Sequence, residues 1–151
     1  MSDTNQVIDN SDLDLTGVPL RDPVIDKQRI KCTIKDLRWE QLTSTKTPDG
    51  KAKQLVIELV TEDPATSTDG QPVAPGHKFS VNIYATPTGG LTQEMINKKI
   101  GRFQVAALDL TAPGKFGPAE QYIGRPVIAW CEAEENKGNV YQRVGRWEAV
   151  K

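Results

Sequence analysis

The sequence predicts a mainly β domain of five strands, with a single helix between the third and fourth strands, behind an acidic N-terminal tail. Three observations support this prediction. Apolar and polar residues alternate in several short runs, which is the pattern of half-buried strands. One longer run repeats its apolar residues at helical spacing. Clusters of Pro, Gly, Ser and Thr separate these runs and predict turns and loops.

The tail is predicted to span residues 1–22 and the folded domain residues 23–151. Residues 1–27 carry six acidic and two basic side chains, a net charge of −4, whereas the remainder carries 17 basic and 14 acidic side chains, a net charge of +3. The tail lacks the apolar core of a secretory signal. No apolar run approaches the ~20 residues that span a bilayer. We therefore expect a cytoplasmic protein with no membrane partner.

The first strand is predicted to begin at Gln28. The second is predicted to span 52–61 and the third 78–85. In each, apolar residues alternate with polar or basic residues, so that one face is apolar. A change of phase near Asp36 predicts a β-bulge in the first strand. The residues expected to face the core are Ile30, Cys32, Ile34, Leu55, Ile57, Leu59, Phe79, Val81 and Ile83.

The helix is predicted to begin after Thr92, whose hydroxyl suits an N-cap, and to end near Asp109, ahead of Pro113. Its apolar residues recur at intervals of three and four, which predicts one apolar stripe facing the core. That stripe contains Met95, Ile96, Ile100, Phe103, Ala107 and Leu110.

The last two strands are predicted to form a hairpin. The first spans 126–133, and the turn at 134–138 contains Asn and Gly, which adopt left-handed backbone conformations readily. Alternate positions of the second strand are occupied by Tyr141, Arg143, Gly145 and Trp147. Alternate residues of a strand share a face, so two aromatic rings and a cation are expected side by side.

Five strands with a helix between the third and fourth follow the element order of the OB-fold, a small Greek-key barrel. Closing the sheet into a barrel would remove long unpaired strand edges. An open α+β sheet and a two-sheet sandwich remain alternatives, because element order does not prove closure. We expect a five-stranded, OB-fold-like barrel.

Candidate residues for catalysis or metal binding are few. Cys32 and Cys131 lie inside predicted strands and are expected to be reduced core thiols. His77 lies in a loop without a nucleophile motif, and Gly89-Gly90 belongs to no phosphate-binding motif. The acids near the 134–138 turn are expected to be solvated. We therefore expect no enzymatic activity, no cofactor and no bound metal.

Basic and aromatic residues give the main functional hypothesis, because a sequence-tolerant site for single-stranded nucleic acid needs stacking rings and phosphate-binding cations. In OB-folds the site crosses strands two and three, between the loops that join strands one and two and strands four and five. Here those loops are 43–51 and 134–138. The candidate nucleic-acid-binding residues are Lys31, Lys35, Lys46, Lys51, Lys53, Tyr84, Tyr141, Arg143 and Trp147.

Three segments near the C-terminal end, 123–125, 134–138 and 141–144, read IGR, EENKG and YQRV. In this order, around an apolar strand, they resemble the C-terminal end of a family of small bacteriophage proteins. These are encoded near replication and recombination genes and are described as single-stranded-DNA-binding or recombination-accessory proteins. The resemblance covers 28–147 and implies a non-enzymatic, OB-like binder of single-stranded DNA that acts in phage DNA replication or recombination, in the host cytoplasm.

Other functions fit the same sequence. A phage virion or assembly protein would pack its β-rich body against copies of itself or a capsid, and its N-terminal arm would reach a neighbour. A DNA-mimicking modulator would use the acidic tail to bind a nuclease or polymerase. For a DNA-binding protein, we expect the tail to recruit replication or recombination proteins or to suppress non-specific contacts, and the protein could form a homo-oligomer.

Overall fold

A computed structural model of the protein describes residues 12–16 and 22–151. Its elements are β1 (Gln28–Thr43), β2 (Lys51–Thr61), β3 (Ala65–Thr66), β4 (Pro72–Val73), β5 (Lys78–Tyr84), α1 (Gln93–Leu108), a 3₁₀ helix (Ala119–Gln121), β6 (Pro126–Asn136) and β7 (Asn139–Glu148). The five long strands form one antiparallel sheet in the order β5-β2-β1-β6-β7. The mainly β prediction is confirmed. The short strands β3 and β4 pair with each other inside the predicted long loop.

The sheet is strongly curved, and its two edge strands approach each other. In a flat sheet of five strands the outermost strands would lie about 19 Å apart, since neighbours are spaced by about 4.8 Å. Here Cα atoms of β5 and β7 come within 8 Å. No backbone pairing joins these two strands within the described residues, so that part of the chain contains no closed barrel. We call the gap between β5 and β7 the seam.

The core lies on the concave side of the sheet, under α1. The β-bulge predicted near Asp36 is confirmed, because the β1–β2 register shifts between Ile34 and Asp36. This extra residue keeps the apolar residues on both sides of the bulge pointing inward. Of the nine strand residues predicted to face the core, only Phe79 is not buried, and it still packs against the core. The others are Ile30, Cys32, Ile34, Leu55, Ile57, Leu59, Val81 and Ile83.

Helix α1 begins and ends as the sequence predicts. The Thr92 side chain caps the first turn by accepting a hydrogen bond from the Met95 N–H (3.2 Å), and Asp109 adopts the left-handed conformation (φ 52°) that ends the helix. Ile96 and Phe103 are buried at the centre of the stripe, whereas Met95 lies exposed at its edge. The helix therefore covers the core from its first turn, at Ile96, to its last turn, at Ala107.

An aromatic cluster joins α1 to the segment that follows it. Phe103 and Phe116 both stack on Tyr122, with ring centroids 5.8 and 4.5 Å away, and Tyr122 is completely buried. The buried Gln104 side chain donates to the backbone carbonyl of Lys115 (2.7 Å) and accepts from the N–H of Gly114 (2.9 Å). These contacts hold the segment after the helix against the core.

The start of the domain is bound to the final hairpin. The Gln142 side-chain amide accepts from the Ile25 N–H (2.7 Å) and donates to the Ile25 carbonyl (2.9 Å). The Asp26 carboxylate accepts from the Ala133 N–H (2.9 Å). Of the predicted acidic tail, residues 12–16 are exposed, and the remainder before Asp22 lies outside the described residues.

Both cysteine thiols are free and buried, as expected. Burial raises the pKa of Cys131 from an ordinary 9.0 to about 12, and burial chiefly raises the pKa of Cys32 as well. The folded protein thus keeps its thiol protons at a pH where the unfolded chain loses them. The free energy of unfolding is expected to fall as the pH rises from about 9 towards 12.

Urea unfolding at about pH 8 and about pH 10 measures this effect. The urea midpoint of the wild type should be lower at the higher pH. For Cys131→Ala, the drop in midpoint between the two pH values should be smaller. An equal loss in both proteins would mean that the thiol of Cys131 does not contribute.

Candidate nucleic-acid interface

The β6–β7 hairpin contains a second bulge, which moves Trp147 away from the face that the sequence predicts. Trp130 pairs with Arg146, whereas the next residue, Cys131, pairs with Val144, so Gly145 is the extra residue of β7. One extra residue exchanges the two faces of a strand beyond it. The prediction that the aromatic and basic residues of β7 share one face is therefore wrong.

Trp147 lies on the core side of the hairpin. It pairs with the buried Ala129 and packs edge-on against Phe103, with ring centroids 4.9 Å apart. Tyr141 and Arg143 lie on the opposite side, and Tyr141 is 51% exposed, as expected. Trp147 thus joins α1 to the sheet, and the predicted two-ring platform is not formed.

The charge of Arg143 is balanced by acidic neighbours on β6. Its Nε lies 3.3 Å from Glu132 Oε2, and its Nη1 lies 3.9 Å from Glu134 Oε1. Glu132 lies so close to Gly145 that a Cβ atom there would collide with the carboxylate. Tyr141 pairs with Glu134 across the hairpin. Around Arg143 and Tyr141, the outer side of this hairpin therefore carries more negative than positive charge.

The outer face of β1 and β2 is also rich in carboxylates. The Arg38 guanidinium lies 2.8 Å from Asp36, 2.7 Å from Glu40 and 3.3 Å from Glu58. Its hydrogen bond lowers the pKa of Glu40. One cation among three carboxylates leaves a net charge of about −2 on this face, which disfavours a phosphate backbone.

Two further predicted contact residues lie on β1. Lys31 Nζ lies 3.6 Å from Glu62, which partly balances its charge. Lys35 is exposed at the first bulge. The structure thus separates both residues along β1 from the lysines of the β1–β2 hairpin.

The far end of the β1–β2 hairpin combines an exposed ring with a cation. Trp39 is 46% exposed, and Lys53 Nζ lies 5.7 Å from the centroid of its ring. Phe116 packs against the indole, with ring centroids 5.6 Å apart and an interplanar angle of 68°. The indole is thus supported and half-exposed, with an ammonium group over its ring, and sites for single-stranded nucleic acid use such rings for stacking and such cations for phosphates.

The sequence did not mark Trp39 as a candidate binding residue, and the structure shows it partly exposed. Leu37 is the last buried residue of β1, although the strand continues to Thr43. Trp39 lies two residues beyond Leu37, opposite the buried Leu55, but its own side chain is only partly covered. No local sequence pattern signals this exposure.

Lys46 and Tyr84 lie together near this hairpin. They line a groove of about 580 Å³ whose other wall is 88–91. The Tyr84 O–H donates to Ser44 Oγ (2.9 Å), which holds the ring against the hairpin loop. Lys51 is exposed at the start of β2, next to this loop.

The three lysines of this region carry unbalanced positive charge. Lys46, Lys51 and Lys53 form no ion pair within 4.0 Å in the described part of the chain. Asp49 lies in the same loop and accepts from the backbone N–H of Lys51 (3.0 Å). We call Trp39, Lys46, Lys51, Lys53 and Tyr84 the hairpin cluster. It has a net charge of +3 from its own side chains.

His77 and the acidic and cysteine residues were the other candidates for chemistry, and among the described residues they are not gathered into a metal site. His77 stacks on Phe79, with ring centroids 6.1 Å apart. Among residues 12–16 and 22–151, no three His, Cys, Asp or Glu side chains lie where they would hold a metal ion together. In the same residues no helix is long and apolar enough to cross a membrane.

Comparison with protein-family models and with curated proteins finds no match to this chain. The resemblance to bacteriophage single-stranded-DNA-binding proteins therefore stays a prediction.

Proposed function

We propose that this protein is a non-enzymatic single-stranded-DNA-binding protein that holds the strand at the hairpin cluster. The supported, half-exposed ring of Trp39 beside Lys53 carries this proposal. A stacked base contributes about 1–3 kcal/mol with little regard to its identity, and nearby lysines attract the phosphates on either side. The β6–β7 hairpin, which the sequence favoured, has the less suitable charge.

The strand order supports an OB-like reading of the fold. If the five long strands are numbered along the chain, their order in the sheet is 3-2-1-4-5. This contains the Greek-key order 4-1-2-3. The OB-fold is a Greek-key barrel that is commonly partly open, and the loop between its first two strands is one of its nucleic-acid contacts. The hairpin cluster surrounds that loop.

The biological setting follows from the resemblance. We propose that the protein acts in phage DNA replication or recombination, in the host cytoplasm, with single-stranded DNA as its ligand and without a cofactor. The acidic N-terminal residues would recruit replication or recombination proteins. Alternatively, they would reduce non-specific contacts with DNA, because they repel the phosphate backbone.

Titration of the protein with fluorescent oligo-dT of ~20 nucleotides at low salt tests the proposal. We expect saturable binding that weakens as salt is added, since each phosphate contact releases counterions. Oligo-dT paired with its complementary strand is the matched control. It should bind more weakly, because paired bases are not free to stack on a protein ring. Absence of binding to oligo-dT at low salt would refute the function.

Neutralising the hairpin cations should weaken binding in a salt-dependent way. In the triple variant Lys46→Gln, Lys51→Gln and Lys53→Gln, the slope of log affinity against log salt should decrease by up to about 2, since each contact contributes about 0.7. Lys98→Gln is the control, because Lys98 lies on α1 and pairs with Glu94 (3.9 Å). An unchanged slope in the triple variant would place the DNA elsewhere.

The alternative function is a phage virion or assembly protein. The unpaired edges of β5 and β7 favour it, because such edges are templates for pairing with another chain. Size-exclusion chromatography separates the two functions: a large assembly that is indifferent to oligo-dT would support the virion protein.

A further inference from the structure

The seam between β5 and β7 carries positive charge that the hairpin cluster does not include. A groove of about 830 Å³ runs along it, lined by both edge strands, by α1 and by the end of β6. Its charged lining residues are Lys99, Arg102, Arg143, Arg146 and Glu134. Four cations and one carboxylate line the groove, and Glu132 and Glu148, which pair with the two arginines, offset part of this positive charge.

Two of these cations belong to α1 and are available to a ligand. Lys99 and Arg102 are exposed, and neither forms an ion pair within 4.0 Å among the described residues. A separation of three residues places them on the same side of the helix. They therefore form a pair of positive groups on one wall of the groove.

The two arginines of β7 occupy the other wall. Arg143 forms ion pairs with acids of β6. Arg146 lies over the Trp130 ring (5.5 Å) and 3.8 Å from Glu148. Both side chains are largely exposed, and exposed ion pairs contribute only about 0–1 kcal/mol. A phosphate group can therefore compete for these arginines.

The seam groove and the hairpin cluster meet at Tyr84. Tyr84, the last residue of β5, lines both the groove that contains Lys46 and the groove that contains Lys99 and Arg102. The two grooves are therefore neighbours on the protein surface. A protein strand that paired with the edges of β5 and β7 would use their backbone groups and would not require four cations. The cations therefore favour a negatively charged ligand.

We infer that the seam groove binds the sugar-phosphate backbone of the same DNA strand beyond the hairpin cluster, with Lys99 and Arg102 contacting phosphates. This inference rests on the proposed function. It predicts a binding site with two parts, a stacking part at Trp39 and an electrostatic part in the seam. Only the stacking part should be needed for a very short oligonucleotide.

The double variant Lys99→Gln and Arg102→Gln tests this inference with oligo-dT of ~6 and ~16 nucleotides, which span the usual range of site sizes. For the longer oligonucleotide, the slope of log affinity against log salt should decrease by about 1.4, or two contacts of about 0.7 each. Affinity for the shorter one should stay within about twofold of the wild type. Lys98→Gln, which changes the neighbouring residue outside the seam, should leave both affinities unchanged.

The outcomes separate this inference from the proposed function. If the wild type binds both oligonucleotides and the double variant keeps the wild-type slope on the longer one, the seam inference is wrong and the proposed function stands. An equal loss on both lengths also contradicts it, since the seam would not be an extension of the site. If the wild type binds neither oligonucleotide, the proposed function fails, and the seam inference fails with it.

Discussion

Trp39→Leu is expected to weaken oligo-dT binding by about fivefold to about 150-fold, which corresponds to the 1–3 kcal/mol of one stacked base. Leucine keeps an apolar contact with Phe116 but removes the π-face that a base would cover. The change should leave the salt slope unaltered, because it removes no cation. Fluorescence anisotropy of labelled oligo-dT at several salt concentrations measures both quantities.

Tyr141→Leu is the matched control for this variant. Tyr141 is exposed to a similar degree as Trp39 but lies opposite Glu134, beside the other acids of β6. We expect its removal to change affinity by less than about twofold, because a phosphate backbone avoids carboxylates. If Tyr141→Leu weakened binding and Trp39→Leu did not, the DNA would contact the β6–β7 hairpin instead.

Phe103→Ala is expected to have the largest effect on stability, a loss of about 3–5 kcal/mol in the free energy of unfolding. Phe103 is completely buried, and its ring contacts both Tyr122 and Trp147. Its removal would leave a cavity where α1, β7 and the segment after the helix meet. Urea unfolding followed by far-UV circular dichroism measures the loss.

Two further variants keep this prediction testable if Phe103→Ala does not fold. Phe103→Leu retains most of the volume and should cost about 1–2 kcal/mol. Met95→Ala removes an exposed side chain from the same helix and should change stability by less than about 0.5 kcal/mol. Equal losses for Phe103→Leu and Met95→Ala would show that the aromatic cluster does not hold α1 to the sheet.

The sequence predicted those features that depend on local periodicity. The alternation in β1, including its change of phase at Asp36, located a strand and its bulge, because the apolar residues must return to one face. Thr92 and Asp109 marked the two ends of the helix. The side-chain preference of Thr92 and the backbone preference of Asp109 each act within a single turn. These features require no knowledge of distant neighbours.

The site depended on long-range geometry that no local pattern contains. Gly145 fits either regular pairing or a bulge. Only the packing of Trp147 against Phe103 fixes which of the two occurs. A glycine inside a strand is itself a signal for a bulge, and it could have warned that Trp147 turns inward. The pairing of Arg143 with Glu132, by contrast, lies on the turn side of the bulge, in the register that begins at the Asn136–Asn139 pair.

The bonds between Gln142 and Ile25 join residues that are 117 positions apart in the chain. During synthesis the N-terminal part of the domain leaves the ribosome long before its partner has been translated. Such distant contacts slow folding, because a loop as long as the domain must close before they form. The backbone groups of Ile25 therefore lack this partner until Gln142 has been translated, and the domain completes its native structure only after that point.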